Sequence, residues 1–285
     1  MINWKDFLTT YRGWRRRWFY PLISVAVALS LCLSAPLPGR AIELLPLLFQ
    51  GAQILKISNI SDRDEVRLGK QMNQQLQRQE VRIYRNSSIN SYVEQIGRRL
   101  AANSDRRNIP YTFQVVEDDA VNAFATMGGY VYINTGLLKI ADNEAEVASV
   151  IAHEMGHIEG KHALNQLRQS AIASGVATLT GVDQNKLVGL GVELVLKRPR
   201  SRKDEYDADT RGLRTLTKTG YAPSAMVSFM KKLLNNSSVP TVLSTHPGTS
   251  DRILSLQRQI QASPNYGNYG LDSSAYQANI RVLKR

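Results

Sequence analysis

The spacing of apolar residues predicts two amphipathic helices ahead of the middle of the chain. One begins near Ser61, and its apolar positions recur every fourth residue on one face: Leu68, Met72 and Leu76. A second begins near Ser88 and closes at residues 101–103, and its apolar positions also share one face: Ile89, Tyr92, Val93, Ile96 and Leu100. We expect each helix to bury that face in one domain.

Two later segments alternate apolar and polar positions as strands do. They are residues 111–116 (YTFQVV) and residues 129–134 (GYVYIN), and glycines at 128, 129 and 136 bound the second one. Their shortness predicts a small sheet.

A third helix is expected to begin near Asp142-Asn143, where a capping side chain and the acidic Glu144 and Glu146 favour a helix start. It continues through HEMGHIEGKH, residues 153–162, which holds three of the four histidines of the chain. His153 and His157 are four residues apart, so they project from the same face of the helix.

The H-E-x-x-H spacing indicates a metal site. Two neutral imidazoles placed in this way can bind one zinc ion, and Glu154 can take a proton from the attacking water. We therefore expect one Zn²⁺ per chain. The competing interpretation is two solvated histidines on a helix surface, but this pattern rarely arises by chance in a chain with four histidines.

The sequence offers two candidates for a third ligand. His162 lies one residue short of the third histidine of the H-E-x-x-H-x-x-G-x-x-H pattern, and on a continuing helix it would point away from the metal as a packing or capping residue. Glu205 is the other candidate, on a further helix where Asp209 follows four residues later. Glu205 could bind zinc while Asp209 accepts a hydrogen bond from a ligand imidazole.

The N-terminus is organised as an export signal. Residues 15–17 (RRR) precede an apolar run from Trp18 to Ala35, and a small-x-small cleavage site ends at residue 41. An uncleaved anchor over residues 1–41 is the alternative, because the run has about the length of ~18 residues that a membrane span needs. Residues 42–60 follow as an apolar linker segment. The one cysteine, Cys32, lies inside the apolar run, so a mature chain would contain no disulfide.

The charge and the sequence patterns of the chain limit the classes of partner that we expect. The formal net charge of +12 favours association with an anionic membrane surface or with acidic clients. No helix-turn-helix, zinc-finger or RNA-binding pattern is present in the sequence, which excludes nucleic acid as an expected partner. We therefore expect an exported protein of the bacterial periplasm or cell envelope, held by its N-terminal anchor if the signal is not cleaved.

Several segments together resemble one known family. They are residues 122–125 (NAFA), 128–138 (GGYVYINTGLL), 153–157 (HEMGH), 205–209 (EYDAD) and 244–247 (STHP) with Arg252-Ile253. In this combination the chain resembles the gluzincin zinc endopeptidases of metallopeptidase family forty-eight, which include HtpX, BepA and the CAAX prenyl endopeptidases. The resemblance covers about residues 58–260 and is closest to the soluble, exported branch that BepA represents.

The resemblance implies a fold and a ligand set. The fold is α+β and mainly helical, with a zincin-type catalytic domain over residues 61–262 that combines a small sheet, the H-E-x-x-H helix and a second helix carrying the glutamate ligand. Glu205 is then the third ligand beside His153 and His157. Residues 263–285 remain as a C-terminal tail. Met127 stands where such proteases commonly have proline before the double glycine.

The expected activity is zinc-dependent endopeptidase cleavage of misfolded exported or membrane proteins. Glu154 would deprotonate the water and return the proton to the departing amine. An unfolded polypeptide could pair with the strand at residues 129–134, or that strand could be purely structural. Its candidate substrate-binding residues are Gly129, Tyr130, Val131, Tyr132 and Asn134. Two other functions stay open: a zinc-bound, chaperone-like holdase with little proteolysis, and a zinc hydrolase of non-peptide substrates.

His246 is the only histidine outside the H-E-x-x-H stretch. Its Ser-Thr-His-Pro segment resembles the family's own motif and is predicted to form a loop before the helix of Arg252. We expect His246 either to cap the resting zinc in place of water or to donate a hydrogen bond to the oxyanion during attack. Arg252 would help to hold the loop or the charge, and the latch is the favoured alternative.

Overall fold

The structure, a computed structural model of the full chain, describes residues 60–173, 177–178, 181–235, 241–247, 249–262 and 267–284. The predicted export signal, residues 1–41, and all but the last residue of the predicted linker, residues 42–60, lie outside the described residues and stay predictions. Within the described ranges, no helix combines the length and the apolar character that a membrane crossing requires.

Helices dominate the described residues, which confirms the predicted mainly helical α+β class. They are α1 (Asp62–Gln79), α2 (Ser87–Ala101), α3 (Thr135–Ile140), α4 (Glu144–Glu159), α5 (His162–Ala173), α6 (Gln184–Lys197), α7 (Arg202–Lys218), α8 (Ser224–Leu234), α9 (Thr241–Thr245), α10 (Thr249–Gln261) and α11 (Ser273–Asn279), with 3-10 turns at Met127–Gly129 and Arg281–Lys284.

Side-chain caps set the helix starts that the sequence predicts. The Ser61 hydroxyl accepts a hydrogen bond from the Asp64 backbone N–H at 3.2 Å, and the Asn143 side chain accepts one from the Glu146 N–H at 3.0 Å. These bonds satisfy backbone donors that lack a partner inside the helix. Helix α2 starts one residue earlier than predicted, because Asn86 is its cap.

The sheet has three strands in the order β1-β3-β2. Strand β3 (Tyr130–Asn134) is central, parallel to β1 (Thr112–Val116) and antiparallel to β2 (Ala123–Ala125). The pattern of apolar and polar residues did not reveal β2, because its three residues are all buried and too few to show an alternation. A two-stranded hairpin, β4 (Ala177–Thr178) with β5 (Gly181–Val182), lies further along the chain.

The central position of β3 corrects the predicted role of its residues. Both edges of the strand already pair with a neighbour, so Tyr130, Val131, Tyr132 and Asn134 have no open edge to offer an extended peptide. Gly129 lies in the 3-10 turn that precedes the strand. Of the two alternatives, the structure supports the purely structural strand.

Two apolar clusters lie on opposite faces of this sheet. Val131 and Ile133 belong to the larger cluster, with the buried faces of α2, α4, α8 and α10. Tyr132 belongs to the smaller one, with residues of α1, α5 and α6. The alternation along β3 therefore places the sheet between the two halves of the core.

Two glycines let α4 and α7 approach closely. A Cβ atom on Gly156 would lie 2.5 Å from the Ala208 carbonyl oxygen, and one on Gly212 would lie 2.9 Å from that of Ala152. Both distances are shorter than van der Waals contact, so larger side chains would push the helices apart. This contact brings the acidic residues of α7 against the histidines of α4.

The segment over residues 267–284, which the sequence analysis sets apart as a tail, packs into the larger cluster. Tyr276 and Ile280 are fully buried there, and the Tyr276 hydroxyl donates to the Leu138 carbonyl at 2.6 Å. The Gly270 carbonyl accepts a hydrogen bond from the Ala145 N–H at 2.9 Å, at the start of α4. The segment therefore braces the helix that carries the two histidines.

Candidate metal centre

Helices α4 and α7 bring together the three residues predicted as ligands. The Nε2 atoms of His153 and His157 are 3.1 Å apart, and Oε1 of Glu205 lies 3.3 Å from Nε2 of His157. Its other oxygen, Oε2, lies 3.5 Å from Nε2 of His153. All three side chains are buried, so their polar atoms contact one another and are shielded from solvent.

His246 adds a fourth donor to this group. It follows the short helix α9, and its backbone N–H donates to the Val242 carbonyl at 2.9 Å. Its Nδ1 atom lies 3.0 Å from Oε1 of Glu205 and 3.3 Å from Nε2 of His153. Donor atoms of all four residues lie within 4.8 Å of one another.

This arrangement fits a zinc ion. A tetrahedral ion with bonds of about 2.0–2.1 Å separates its ligand atoms by about 3.3–3.4 Å. The neighbouring donor atoms are 3.0 to 3.5 Å apart. Imidazole nitrogens with one carboxylate are also a ligand set that zinc favours.

A carboxylate supports His153 from behind. Nδ1 of His153 lies 2.9 Å from Oδ1 of Asp209, at hydrogen-bonding distance, as the sequence-based prediction for Asp209 requires. Arg252, on α10, donates two hydrogen bonds of 2.7 Å to the oxygens of Asp209 and also lies 2.6 Å from Oε2 of Glu205. One buried guanidinium thereby holds both carboxylates.

His157 has a different support. Its Nδ1 atom is 2.9 Å from Nδ1 of His162, whose Nε2 atom is 3.0 Å from Oδ2 of Asp207. Asp207 in turn accepts a hydrogen bond of 2.7 Å from Nε of Arg211, one turn further along α7. The ring of His162 thus lies behind His157 and does not face the four donors.

The path of the chain to His162 differs from the expected one. The predicted continuous helix is interrupted before His162, because α4 ends at Glu159 and Lys161 adopts a left-handed conformation with φ of 54°. A new helix, α5, begins at His162 itself. The conclusion that His162 points away from the metal site therefore stands for a different geometric reason.

The buried groups of the centre shift each other's pKa values. Burial disfavours the charged form of His153, but hydrogen bonds to Asp209 and Glu205 outweigh it and raise the pKa of His153 to about 9. Burial lowers the pKa of His157 well below its usual value. Burial alone would raise the pKa of Glu205, yet His246 and the two helix histidines lower it far below its usual range. Glu205 is therefore ionised, the form in which a carboxylate binds metal.

An apolar pocket opens beside Glu154. Oε1 of Glu154 is buried, lies 3.5 Å from Nε2 of His246 and makes no hydrogen bond with any residue that the structure describes. The pocket has a cavity of about 50 Å³, with an apolar lining from α4, α8 and α9: Val150, Met226, Phe229, Met230, Leu233 and Val242. A proton acceptor thus lies next to a space that suits an apolar group.

Sequence reasoning missed two charged residues near the centre. Asp207 has the pattern of a solvated acid on α7, and only the pairing of Asp207 with Arg211 four residues later could have indicated an ordered role. Arg200 is almost fully buried, and its guanidinium donates to Gln166 at 3.1 Å and to the Ala125 carbonyl at 3.4 Å. No local pattern marks such a residue, because its partners come from α5 and β2.

Comparison with protein families assigns most of the described chain to a known family. The model for peptidase family M48 matches residues 87–260, a span that contains all four donor residues and both supports behind them.

Individual relatives of the chain are also named as proteases. The chain is 31% identical over 194 residues to a putative beta-barrel assembly-enhancing protease from Vibrio cholerae, a match that covers 62% of this chain and 40% of that protein. It is 35% identical over 155 residues to the mitochondrial metalloendopeptidase OMA1 of Arabidopsis thaliana, covering 53% and 32%. It is 26% identical over 252 residues to the metalloprotease LoiP of Escherichia coli, covering 84% and 95%. The chain thus spans less than half the length of its beta-barrel assembly-enhancing relative.

Proposed function

Since the chain belongs to peptidase family M48, it is a metalloendopeptidase, and we propose that it uses zinc to cleave misfolded exported or membrane proteins in the cell envelope. The buried group of His153, His157 and Glu205 beside Glu154 carries this proposal. The predicted export signal and the beta-barrel assembly-enhancing proteases among its relatives support the location.

His153, His157 and Glu205 are the proposed protein ligands of the zinc. Bound there, zinc supplies Lewis-acid chemistry, because it acidifies water and polarises the scissile carbonyl. Glu154 is the general base, since one of its oxygens is buried and has no hydrogen bond within the described residues. It takes a proton from the attacking water and returns it to the departing amine.

The apolar pocket supports unfolded polypeptide as the substrate. Folded proteins bury most large apolar side chains, so a pocket lined by Met226, Phe229 and Met230 selects chains that expose them. Cleavage sites mapped by mass spectrometry should then have an apolar residue beside the cleaved bond.

Strand β2 is the better candidate for pairing with an extended substrate. The Thr126 N–H donates to Tyr130 and the Asn134 N–H donates to the Asn122 carbonyl, so backbone groups of Ala123 and Ala125 are directed away from β3. The outer side of β1 is already occupied, because the Tyr84 N–H donates to the Val115 carbonyl there. A peptide on β2 would compete with Arg200 for the Ala125 carbonyl.

Unfolded casein tests the proposed activity. The purified full-length chain is incubated with casein, with zinc or with a chelator, and Glu154→Gln is the matched control. We expect fragments only from the wild type with zinc, and a loss of about 10²–10⁴-fold in Glu154→Gln with its zinc content unchanged, because the amide cannot accept a proton.

The outcomes separate the candidate functions. Fragments that persist with the chelator, or in Glu154→Gln at the wild-type rate, contradict the proposed mechanism. Zinc-loaded protein that keeps casein from aggregating but never cuts it is a holdase instead.

We further propose that His246 is a latch on the resting site. Its Nδ1 atom lies 3.0 Å from Oε1 of Glu205 and 3.3 Å from Nε2 of His153, close enough for this imidazole to take the position that water would occupy. Arg252 supports this position, because its Nη1 atom lies 3.4 Å from the His246 carbonyl oxygen as a donor. In the alternative role His246 would swing out and donate a hydrogen bond to the oxyanion.

The variant His246→Ala distinguishes the two roles by the direction in which the cleavage rate changes. Removal of a latch should raise basal casein cleavage and self-cleavage. Removal of an oxyanion donor should lower the rate by about 10²-fold. An unchanged rate together with unchanged zinc affinity would contradict both.

A further inference from the structure

His162 is a buried histidine that the proposed mechanism does not use. It is only 5% exposed, yet both of its ring nitrogens lie near polar atoms: Nδ1 is 2.9 Å from Nδ1 of His157, and Nε2 is 3.0 Å from Asp207. The ring connects a proposed metal ligand to a carboxylate on another helix.

One assignment of protons satisfies every contact in this series. A His157 ring that offers the lone pair of Nε2 to the metal site carries its proton on Nδ1. That N–H can donate to Nδ1 of His162, which leaves the proton of His162 on Nε2, where it donates to Asp207. Asp207 is fixed in turn by the hydrogen bond from Arg211.

The turn between α4 and α5 produces this geometry. Lys161, in its left-handed conformation, reverses the chain so that the ring of His162 folds back over the end of α4. A Cβ atom on Gly160 would collide with Nε2 of His162 and lie 2.8 Å from Oδ2 of Asp207. The glycine therefore leaves the space in which His162 and Asp207 meet.

We propose that His162 is a positioning residue that fixes the ring orientation and tautomer of His157 and transmits the charge of Asp207 to it, an inference that rests on the proposed zinc site. Outer partners of this kind orient ligand imidazoles and increase their basicity. Here the outer partner of the imidazole is a second imidazole, and the carboxylate is one step further away.

Two substitutions of His162 separate hydrogen bonding from packing. In His162→Asn the side-chain oxygen can occupy the place of Nδ1 and accept the His157 proton, while His162→Leu fills the space without an acceptor. Zinc affinity is measured by chelator competition on the full-length chain, in the Glu154→Gln background to prevent self-cleavage. We expect His162→Leu to bind zinc about 10- to 100-fold more weakly, and His162→Asn to recover most of the loss.

A second readout reports on the hydrogen bond itself. In NMR spectra of the zinc-loaded protein, the Nδ1 proton of His157 should have the downfield shift of a hydrogen-bonded ring N–H in the wild type and in His162→Asn. In His162→Leu that shift should be lost. Equal zinc affinity and an unchanged His157 signal in the leucine variant would overturn the proposal.

Changes on α7 test the same series if His162→Leu does not fold. Asp207→Asn should weaken zinc binding and shift the His157 signal more than Asp204→Asn does, because both carboxylates lie near His162 but only Asp207 is within hydrogen-bonding distance of it. Asp204 lies on the same helix, 3.8 Å from Nε2 of His162, beyond hydrogen-bonding distance. Equal effects of the two variants would contradict the proposed role. A wild type that binds no zinc, or that loses none in Glu205→Gln, would instead contradict the proposed function.

Discussion

The two histidines of α4 differ most in what lies behind them. Asp209 accepts the outer hydrogen bond of His153, and Arg252 holds Asp209 with two further bonds. The outer partner of His157 is His162, a neutral ring, and the charge of Asp207 acts only through it.

The supports of the two histidines differ in their charge and in the parts of the fold that supply them. The support of His153 comes from α7 and α10, so it exists only when the whole domain has packed. The ring behind His157 comes from the next turn of the chain, and only its carboxylate comes from α7. A carboxylate also polarises an imidazole N–H more strongly than another imidazole does, because it carries a full charge. We therefore expect the His153 side to be more sensitive to substitution.

Asp209→Asn should give the largest effect among the variants that test this difference. The amide can still face His153 but carries no charge, and it leaves Arg252 buried with only Glu205 as a charged partner. Zinc affinity should fall about 100-fold, at the upper end of the range for outer partners. Chelator competition measures it, and a smaller loss than in His162→Leu would reverse the proposed ranking.

Gly160→Ala should lower zinc affinity less than Asp209→Asn does, because it disturbs only the support behind His157. The added methyl group collides with His162 and displaces it from Asp207, so zinc affinity should fall by less than about tenfold. Gly189→Ala, on α6, is the matched control, because nothing lies within 4 Å of a Cβ atom there. The control should keep full zinc affinity and gain about 0.5–1 kcal/mol of stability as a helix residue. Equal zinc affinity in the two variants would count against the role of the turn.

Asp62→Asn should give the smallest effect, through the turn that positions His162. Asp62 accepts a hydrogen bond from Lys161 at 2.7 Å, and that bond is the main cause that lowers the pKa of Asp62 to about 2. A lowered carboxylate pKa adds stability above the unfolded value near 3.8, and this stability is lost as the pH falls towards 2.

The pair with Lys161 should contribute about 0.2–1 kcal/mol of stability, because it is partly exposed. Asp62 also accepts hydrogen bonds from Arg106 and Asn108, and the substitution weakens these too. Denaturant unfolding at pH 7 and at pH 2.5 measures the total loss. The difference between wild type and Asp62→Asn should shrink at the lower pH, and a difference that grows would contradict the assignment.

The sequence predicted the parts of the centre that depend on local spacing. His153 and His157 face one side because they are one helical turn apart, and the start of α4 follows from the cap at Asn143. Glu205 and Asp209 were candidates for the same reason, and the family resemblance chose between Glu205 and His162. Geometry within one helix depends little on the rest of the fold.

The parts that the sequence did not predict depend on contacts between elements. Strand order cannot be obtained from the alternation of two short segments, so the sequence leaves open whether β3 is accessible, and only the structure shows that β2 covers its other edge. The break at Lys161 was missed because nothing in a lysine indicates a left-handed conformation. Arg200 was missed because its burial results from packing against α5 and β2.

Because residues 267–284 pack against the start of α4, the centre can be completed only late in the synthesis of the chain. A ribosome makes the H-E-x-x-H helix well before Glu205, then His246, and only afterwards the segment in which Gly270 bonds to Ala145 and Tyr276 enters the core. Domains generally fold as units, and the core of this one is complete only after the segment that contains Tyr276 has been made. A partly made chain therefore contains the two histidines without the proposed carboxylate ligand or the brace, so we expect the peptidase to be inactive while it is being synthesised.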